Sequence, residues 1–365
     1  MQFKQLILAS LLIFERSRAC LHDHIPVPQL RDLQEALRKR DVPTPVKTAI
    51  QNVRVFDGYT IGKPQTVIID GEYITDSDDN VVKTIDAGNS ILIPGLIDAH
   101  SHVQSVEGLE NMTSYGVTSI FNMALPESLR LSPGEDPKFL VDYAFGNGSD
   151  YFKINTIVEY THSLGHFVVQ HAPSVTPYTR AVSVRTDVLQ HIPDDGLLPP
   201  NIFLSIKEFG LAATPTVEIF RRAYTIQPEI GQFLRGNNTA NASYEHVVGN
   251  VKQLHAAGIP ILGGTDSVGN TVPAIYFPFG ESLHQEMANF VDFGMTPLEA
   301  LRAATIVPAT VHRLKDRGAI RPGLRADLIL LNSDPLANIT NTRDIARVWA
   351  GGVEYPNVAS KSATG

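Results

Sequence analysis

The sequence predicts an α/β protein built around a parallel sheet. From Pro94 onward, strand-like runs alternate with helical ones, which is the pattern of βα units. On either side of that stretch the texture changes to short β-rich runs separated by Gly, Asp and Asn turns. Nothing repeats at a fixed period, and no segment is low in complexity.

The first twenty residues, MQFKQLILASLLIFERSRAC, place Lys4 before an apolar run from Leu6 to Phe14 and a small-residue site around Ala19. That is the form of a secretory signal peptide. A buried or amphipathic N-terminal helix is the alternative, which would leave the chain cytoplasmic. Sequons at Asn111, Asn147, Asn237, Asn241 and Asn338 permit glycosylation on a secretory route, although each is equally an ordinary surface asparagine. Cys20 is the only cysteine, so no intrachain disulfide forms. Residues 21–46, with His22 and His24 of LHDH, read as a linker.

From Lys47, TAIQNVRVFDG, TVIIDGEYI and KTIDAGNSILI are the first strand candidates. GVTSIFNM, SDYFKINT, GHFVVQHA, DVLQHI, GLAATPTV and GIPILGGTDS follow. Helices are expected over 248–258 and 296–314, the second with Thr296 as cap and Pro297 in its first turn. After Gly318, ADLILLNSD and ARVWAGGVEY return to short β runs.

With 43% hydrophobic and 19% charged residues, the composition is that of a globular protein large enough to bury a sizeable core. A net charge of −8 argues against nucleic acid as a partner, because phosphate binding needs clustered Lys and Arg. After residue 20 no apolar run approaches the roughly 18 residues of a membrane span. A small-molecule substrate is the expected partner, and a homo-oligomer is left open.

Histidines mark the chemistry. Residues 92–103 read LIPGLIDAHSHV, and a strand would put His100 and His102 on the same face, as two ligands of one metal require. One such pair is weak, since chance alone gives roughly 0.4 in this chain. His171 ends FVVQH, His191 ends VLQH and Asp266 ends PILGGTD. In a parallel barrel, chemistry gathers at the carboxyl ends of strands. Lys153 in DYFKI holds a similar place, where an ammonium ion is costly to bury. Its alternative is a strand-end lysine reaching solvent along its apolar stem.

Together GLIDAHSHV, the strand-end lysine, VVQHA, VLQHI, GGTDS and GAIRPGLRADLILLNSDP resemble the amidohydrolase superfamily, in its imidazolonepropionase-like and prolidase-like branch. The resemblance covers roughly residues 50–355. It implies a (β/α)8 barrel of the TIM type over 94–315, with a small β-sandwich assembled from 47–93 and 316–357. It implies that His100, His102, Lys153 and Asp266 hold one divalent metal. A carboxylated Lys153 would share a second metal with His171 and His191.

Imidazole and carboxylate ligands suit zinc and related ions, one or two of them. Paired metals lower the pKa of a shared hydroxide enough to make it a nucleophile at neutral pH. Asp266 is placed to take its proton and pass it to a leaving nitrogen. Hydrolysis of an amide, lactam or related non-peptide C–N bond is therefore expected.

Length cuts across this picture. A typical barrel of about 250 residues allots about 31 to each βα unit. From residue 102 to residue 153 is only 51 residues, where three units need about 90. The region of the third strand, between Phe121 and Asp150, lacks a convincing strand. An impaired or non-catalytic binding protein on a degenerate scaffold, or a metal-dependent lyase or isomerase, therefore stand beside the hydrolase. His162, His166, His246, His255, His284 and His312 read as surface or satisfied core residues. Tyr160 and Tyr178 read as packing, and Arg180 as a solvated helix charge.

Overall fold

The computed structural model describes residues 9–10, 43–123, 151–153, 158–235, 241–270, 275–356 and 358–359. Of 9–10, 151–153 and 232–235 it describes the backbone alone. The early strands are β1 (Ala9–Ser10), β2 (Thr48–Phe56), β3 (Ile61–Asp70), β4 (Tyr73–Thr75), β5 (Lys83–Asp86), β6 (Ile91–Pro94), β7 (Leu96–Ser101) and β8 (Val117–Asn122). Then come β9 (Tyr151–Lys153), β10 (Phe167–His171), β11 (Val188–Gln190), β12 (Ala212–Thr214), β13 (Leu328–Leu331), β14 (Ile345–Ala350) and β15 (Val353–Tyr355). Helices are α1 (Val106–Ser114), α2 (Val158–Ser163), α3 (Val175–Ser183), α4 (Pro200–Phe209), α5 (Val217–Thr225), α6 (Pro228–Arg235), α7 (Tyr244–Ala256), α8 (Glu281–Asp292), α9 (Pro297–Ala303) and α10 (Ile306–Val311). Among the described residues no helix is long and apolar enough to cross a membrane.

The chain divides into two compact units. One comprises Met1–Glu35, Ala99–Ser105 and Ile120–Pro278; the other comprises Ala36–Asp98, Val106–Ser119 and Phe279–Gly365.

The first unit is a parallel ladder, as the alternating pattern predicted. Its strands run β1-β9-β10-β11-β12. The ladder continues through a parallel bridge of Ala213 with Ile261, and then of Ser267 with Ser101 at the end of β7. Helices fill the crossovers that parallel strands require. Gly210, at φ 68°, closes α4 in the left-handed conformation that glycine adopts without strain, and Pro200 opens that helix. Ala9–Ser10 pairs in register with Phe152–Lys153, within the segment that reads as a signal peptide. The rest of residues 1–20, the linker histidines, Asn147 and Asn237 lie outside the described residues. So does most of the expected third-strand gap, residues 124–150. Among the described residues no pairing joins β8 to β1.

The second unit is a mixed sheet in the order β15-β14-β13-β6-β2-β3-β4, with β5 also on β2. Residues from both ends of the sequence meet where Leu92 faces Leu330 and Ile93 faces Ile329 in antiparallel register. Val53, Ile69, Leu92, Leu328, Leu330 and Trp349 are core residues of this sheet. A register shift between Ile50 and Val53 bulges β2, and Asn52 takes φ 53° there.

Two expected helices changed bounds. The helix expected over 248–258 starts at Tyr244, because the Ser243 side chain accepts a hydrogen bond from the Glu245 N–H. The helix expected over 296–314 is two helices, α9 and α10. Thr296 and Glu299 form the capping box that starts α9. Pro308 has no N–H to offer the carbonyl of Ala304, and that carbonyl accepts from the Ile97 N–H at 2.8 Å instead.

Candidate metal centre

Strand alternation sets the first pair. His100 lies in β7 and His102 just beyond its end, on the same face, and both reach the same oxygen. His100 Nε2 is 3.1 Å and His102 Nε2 is 2.7 Å from Asp266 Oδ1. All three residues are fully buried. Asp266 comes from the turn after Ile261, where its N–H and that of Thr265 both donate to the His100 carbonyl, at 2.7 and 3.0 Å.

His191 joins them by breaking alternation. On a regular strand Gln190 and His191 would face opposite ways. The ladder carries one residue past β11, with the His191 N–H donating to the Thr214 carbonyl, and His191 then turns at φ 68°. Both side chains reach the same place. Asp266 at φ 62° and Thr216 at φ 52° share this left-handed conformation, which is sparsely populated for non-glycine residues and clusters at functional sites. His191 Nδ1 lies 2.8 Å from Thr216 Oγ1 and 3.9 Å from Asp266 Oδ2.

His100, His191 and Asp266 each offer a ligand atom within 4.8 Å of the others. The His171 ring packs edge-on against His191, with ring centres 4.2 Å apart. Lys153 is placed by its backbone on β9, beside β10, and its side chain lies outside the described residues.

Burial pushes the Asp266 carboxyl up, but His100, His102 and His191 outweigh it and hold the group well below the usual carboxylate range. Asp266 is therefore a buried anion, and among the described residues its Oδ2 has no hydrogen-bond partner. A buried carboxylate left so is costly unless paired or coordinated. Three imidazoles and one carboxylate around an unbonded oxygen suit a divalent cation.

Two residues escaped the motif reading. Gln190 accepts a hydrogen bond from His100 Nδ1 at 2.7 Å, and Thr216 meets His191. Only the position of Gln190 directly before a strand-end histidine marked it in sequence. Elsewhere Tyr178 is fully buried on α3, and Arg180 is exposed on the same helix.

Residues 185–354 match the Amidohydrolase family. An adenine deaminase from Lysinibacillus sphaericus is 24% identical over 336 residues, 83% of this chain and 56% of its own length. The chain thus spans about half the length of this relative. An imidazolonepropionase from Deinococcus deserti is 33% identical over 104 residues, 28% of this chain and 25% of its own. A crystal structure of a Xaa-Pro dipeptidase superposes with a TM-score of 0.69 at 18% identity, covering 85% of this chain and 99% of that one. At that identity the likeness shows the fold, an α/β architecture of the TIM-barrel type.

Proposed function

Because the chain fits the amidohydrolase superfamily, we propose that it is a metal-dependent hydrolase that cleaves a C–N bond in a small amide, lactam or related molecule. One observation carries the reading: a fully buried Asp266 carboxyl among His100, His102 and His191, with an oxygen that has no hydrogen-bond partner among the described residues. The adenine deaminase to which the chain is similar supports the same class of bond.

His100, His191 and Asp266 would hold the metal, zinc foremost, with His102 and His171 adjoining. We read Lys153, carboxylated, as the bridge to a second ion. When bound, such a cation supplies electrophilic polarisation of a carbonyl and acidifies a water molecule. Asp266, ionised at neutral pH, takes a proton from the attacking water and returns it to the departing nitrogen. Burial of the cluster keeps bulk solvent from screening these charges. We further read residues 94–315 as a barrel shortened around its third strand, and the mixed sheet as the superfamily's small sandwich.

Elemental mass spectrometry on the folded chain, purified without chelator, tests the site. Two equivalents of metal support the bridging Lys153, one equivalent supports a single ion, and none defeats the proposal. On a panel of amides, lactams and dipeptides, Asp266→Asn should lower kcat about 10²- to 10⁴-fold. Metal without turnover by the parent chain would favour a binding protein. Turnover without incorporation of solvent oxygen would favour a lyase or isomerase.

A further inference from the structure

We propose that Gln190 is a positioning residue for the metal centre: its side-chain carbonyl holds the tautomer and ring orientation of His100. The inference rests on the metal-binding reading above and deepens it. Gln190 is fully buried, and its Oε1 lies 2.7 Å from His100 Nδ1. The other ring nitrogen, Nε2, faces Asp266 Oδ1 at 3.1 Å.

A neutral imidazole carries one hydrogen, and a ligating nitrogen must present its lone pair. With Nε2 turned to the cation site, the hydrogen belongs on Nδ1, and its partner must accept. Oxygen is the only atom of the Gln190 amide that does so. That assignment leaves Nε2 of Gln190 as a donor, and among the described residues this buried atom has no hydrogen-bond partner. An unsatisfied buried donor carries an uncompensated desolvation penalty. A residue serving only to fill space would avoid that penalty as Leu or Met. Gln190 retains it, which is intelligible if its oxygen is the part that matters. The backbone makes room for this arrangement, since the left-handed turn at His191 lets consecutive residues face one site.

The inference separates metal affinity from stability. Gln190→Leu and Gln190→Met keep the volume and remove the acceptor. Both remove the unpartnered Gln190 donor but leave the buried His100 Nδ1 hydrogen without its acceptor, so they should melt near the temperature of the parent chain in the metal-free state, yet bind zinc about 10- to 100-fold more weakly. Gln190→Glu restores an acceptor for the Nδ1 hydrogen and should return affinity to within a few fold of the parent. Cobalt provides a spectroscopic check: its visible ligand-field bands should shift in the Leu and Met variants and recover in Gln190→Glu.

Zinc dissociation constants come from competition with a chromophoric chelator on the full-length protein. The Leu and Met variants are read independently, so misfolding of one leaves the other. Parent protein that binds no zinc overturns the metal reading and this inference with it. Parent protein that binds, with unchanged affinity and cobalt spectra in the Leu or Met variant, overturns this inference alone. Loss of affinity matched by a lowered metal-free melting temperature, with no recovery in Gln190→Glu, would mark Gln190 as structural and also overturn it.

Discussion

Buried on α8, His284 shows how a histidine outside the metal centre is kept uncharged. Its Nε2 donates to the Tyr115 carbonyl at 2.8 Å, and the Thr342 hydroxyl meets Nδ1 at the same distance. Burial, helped by the Arg343 charge and opposed by the Tyr115 bond, pushes it down to about 3 from an ordinary 6.5. Below pH 6.5 the unfolded chain gains a proton that the folded chain refuses. This contribution is therefore fully present above pH 6.5 and is lost as pH falls toward 3, at about 1.4 kcal/mol per unit. Denaturant melts of His284→Gln should show a shallower acid slope than the parent between pH 6 and 4, and parallel slopes would refute the assignment. The sequence marked His284 as surface or satisfied core because it lay in a helix-like segment, and burial selects the second. No local pattern distinguishes the two, since its partners lie 58 and 169 residues away.

At the scale of elements, the strands that carry the proposed metal ligands approach closely because one position has no side chain. A Cβ on Gly264 would meet Thr214 Cγ2 at 2.4 Å and the His100 backbone N at 2.9 Å. Backbone cannot yield as a flexible side chain does, so Gly264→Ala must push the strand end carrying His100 aside. We expect about 1–3 kcal/mol of destabilisation from overpacking, with weaker zinc binding. An alanine variant as stable as the parent in urea, binding zinc as tightly, would contradict that account. The two glycines of GGTD read only as turn residues in sequence. Similarly, the partner of the carbonyl freed at the break between α9 and α10 was invisible, because a strand from a distant segment supplies the Ile97 N–H.

For the whole molecule, the mixed sheet depends on both ends of the described chain. Residues Ile91–Pro94 of β6 pair with Leu328–Leu331 of β13, and Trp349 belongs to the same core. Truncation after Lys315 would strip β6 of this partner and expose an apolar edge, a template for aggregation. The truncated chain should be insoluble or elute as aggregate on size exclusion. A soluble monomer with an unchanged melting temperature would show that the terminal strands are dispensable.

Short-range periodicity determined much from the sequence alone. Alternation put His100 and His102 on one face, the strand–helix rhythm after Pro94 indicated a parallel sheet, and Thr296 with Pro297 marked a helix start. These signals need only neighbours within a turn of helix or a few residues of strand. Tertiary structure decided what depends on partners far along the chain. It brought His191 to Asp266 through left-handed backbone at both residues, against strand alternation. It set Gln190 behind His100 across 90 residues. It joined the first β runs to the last in one sheet. Packing and buried charge select these arrangements, and both act through space, where sequence distance has no bearing.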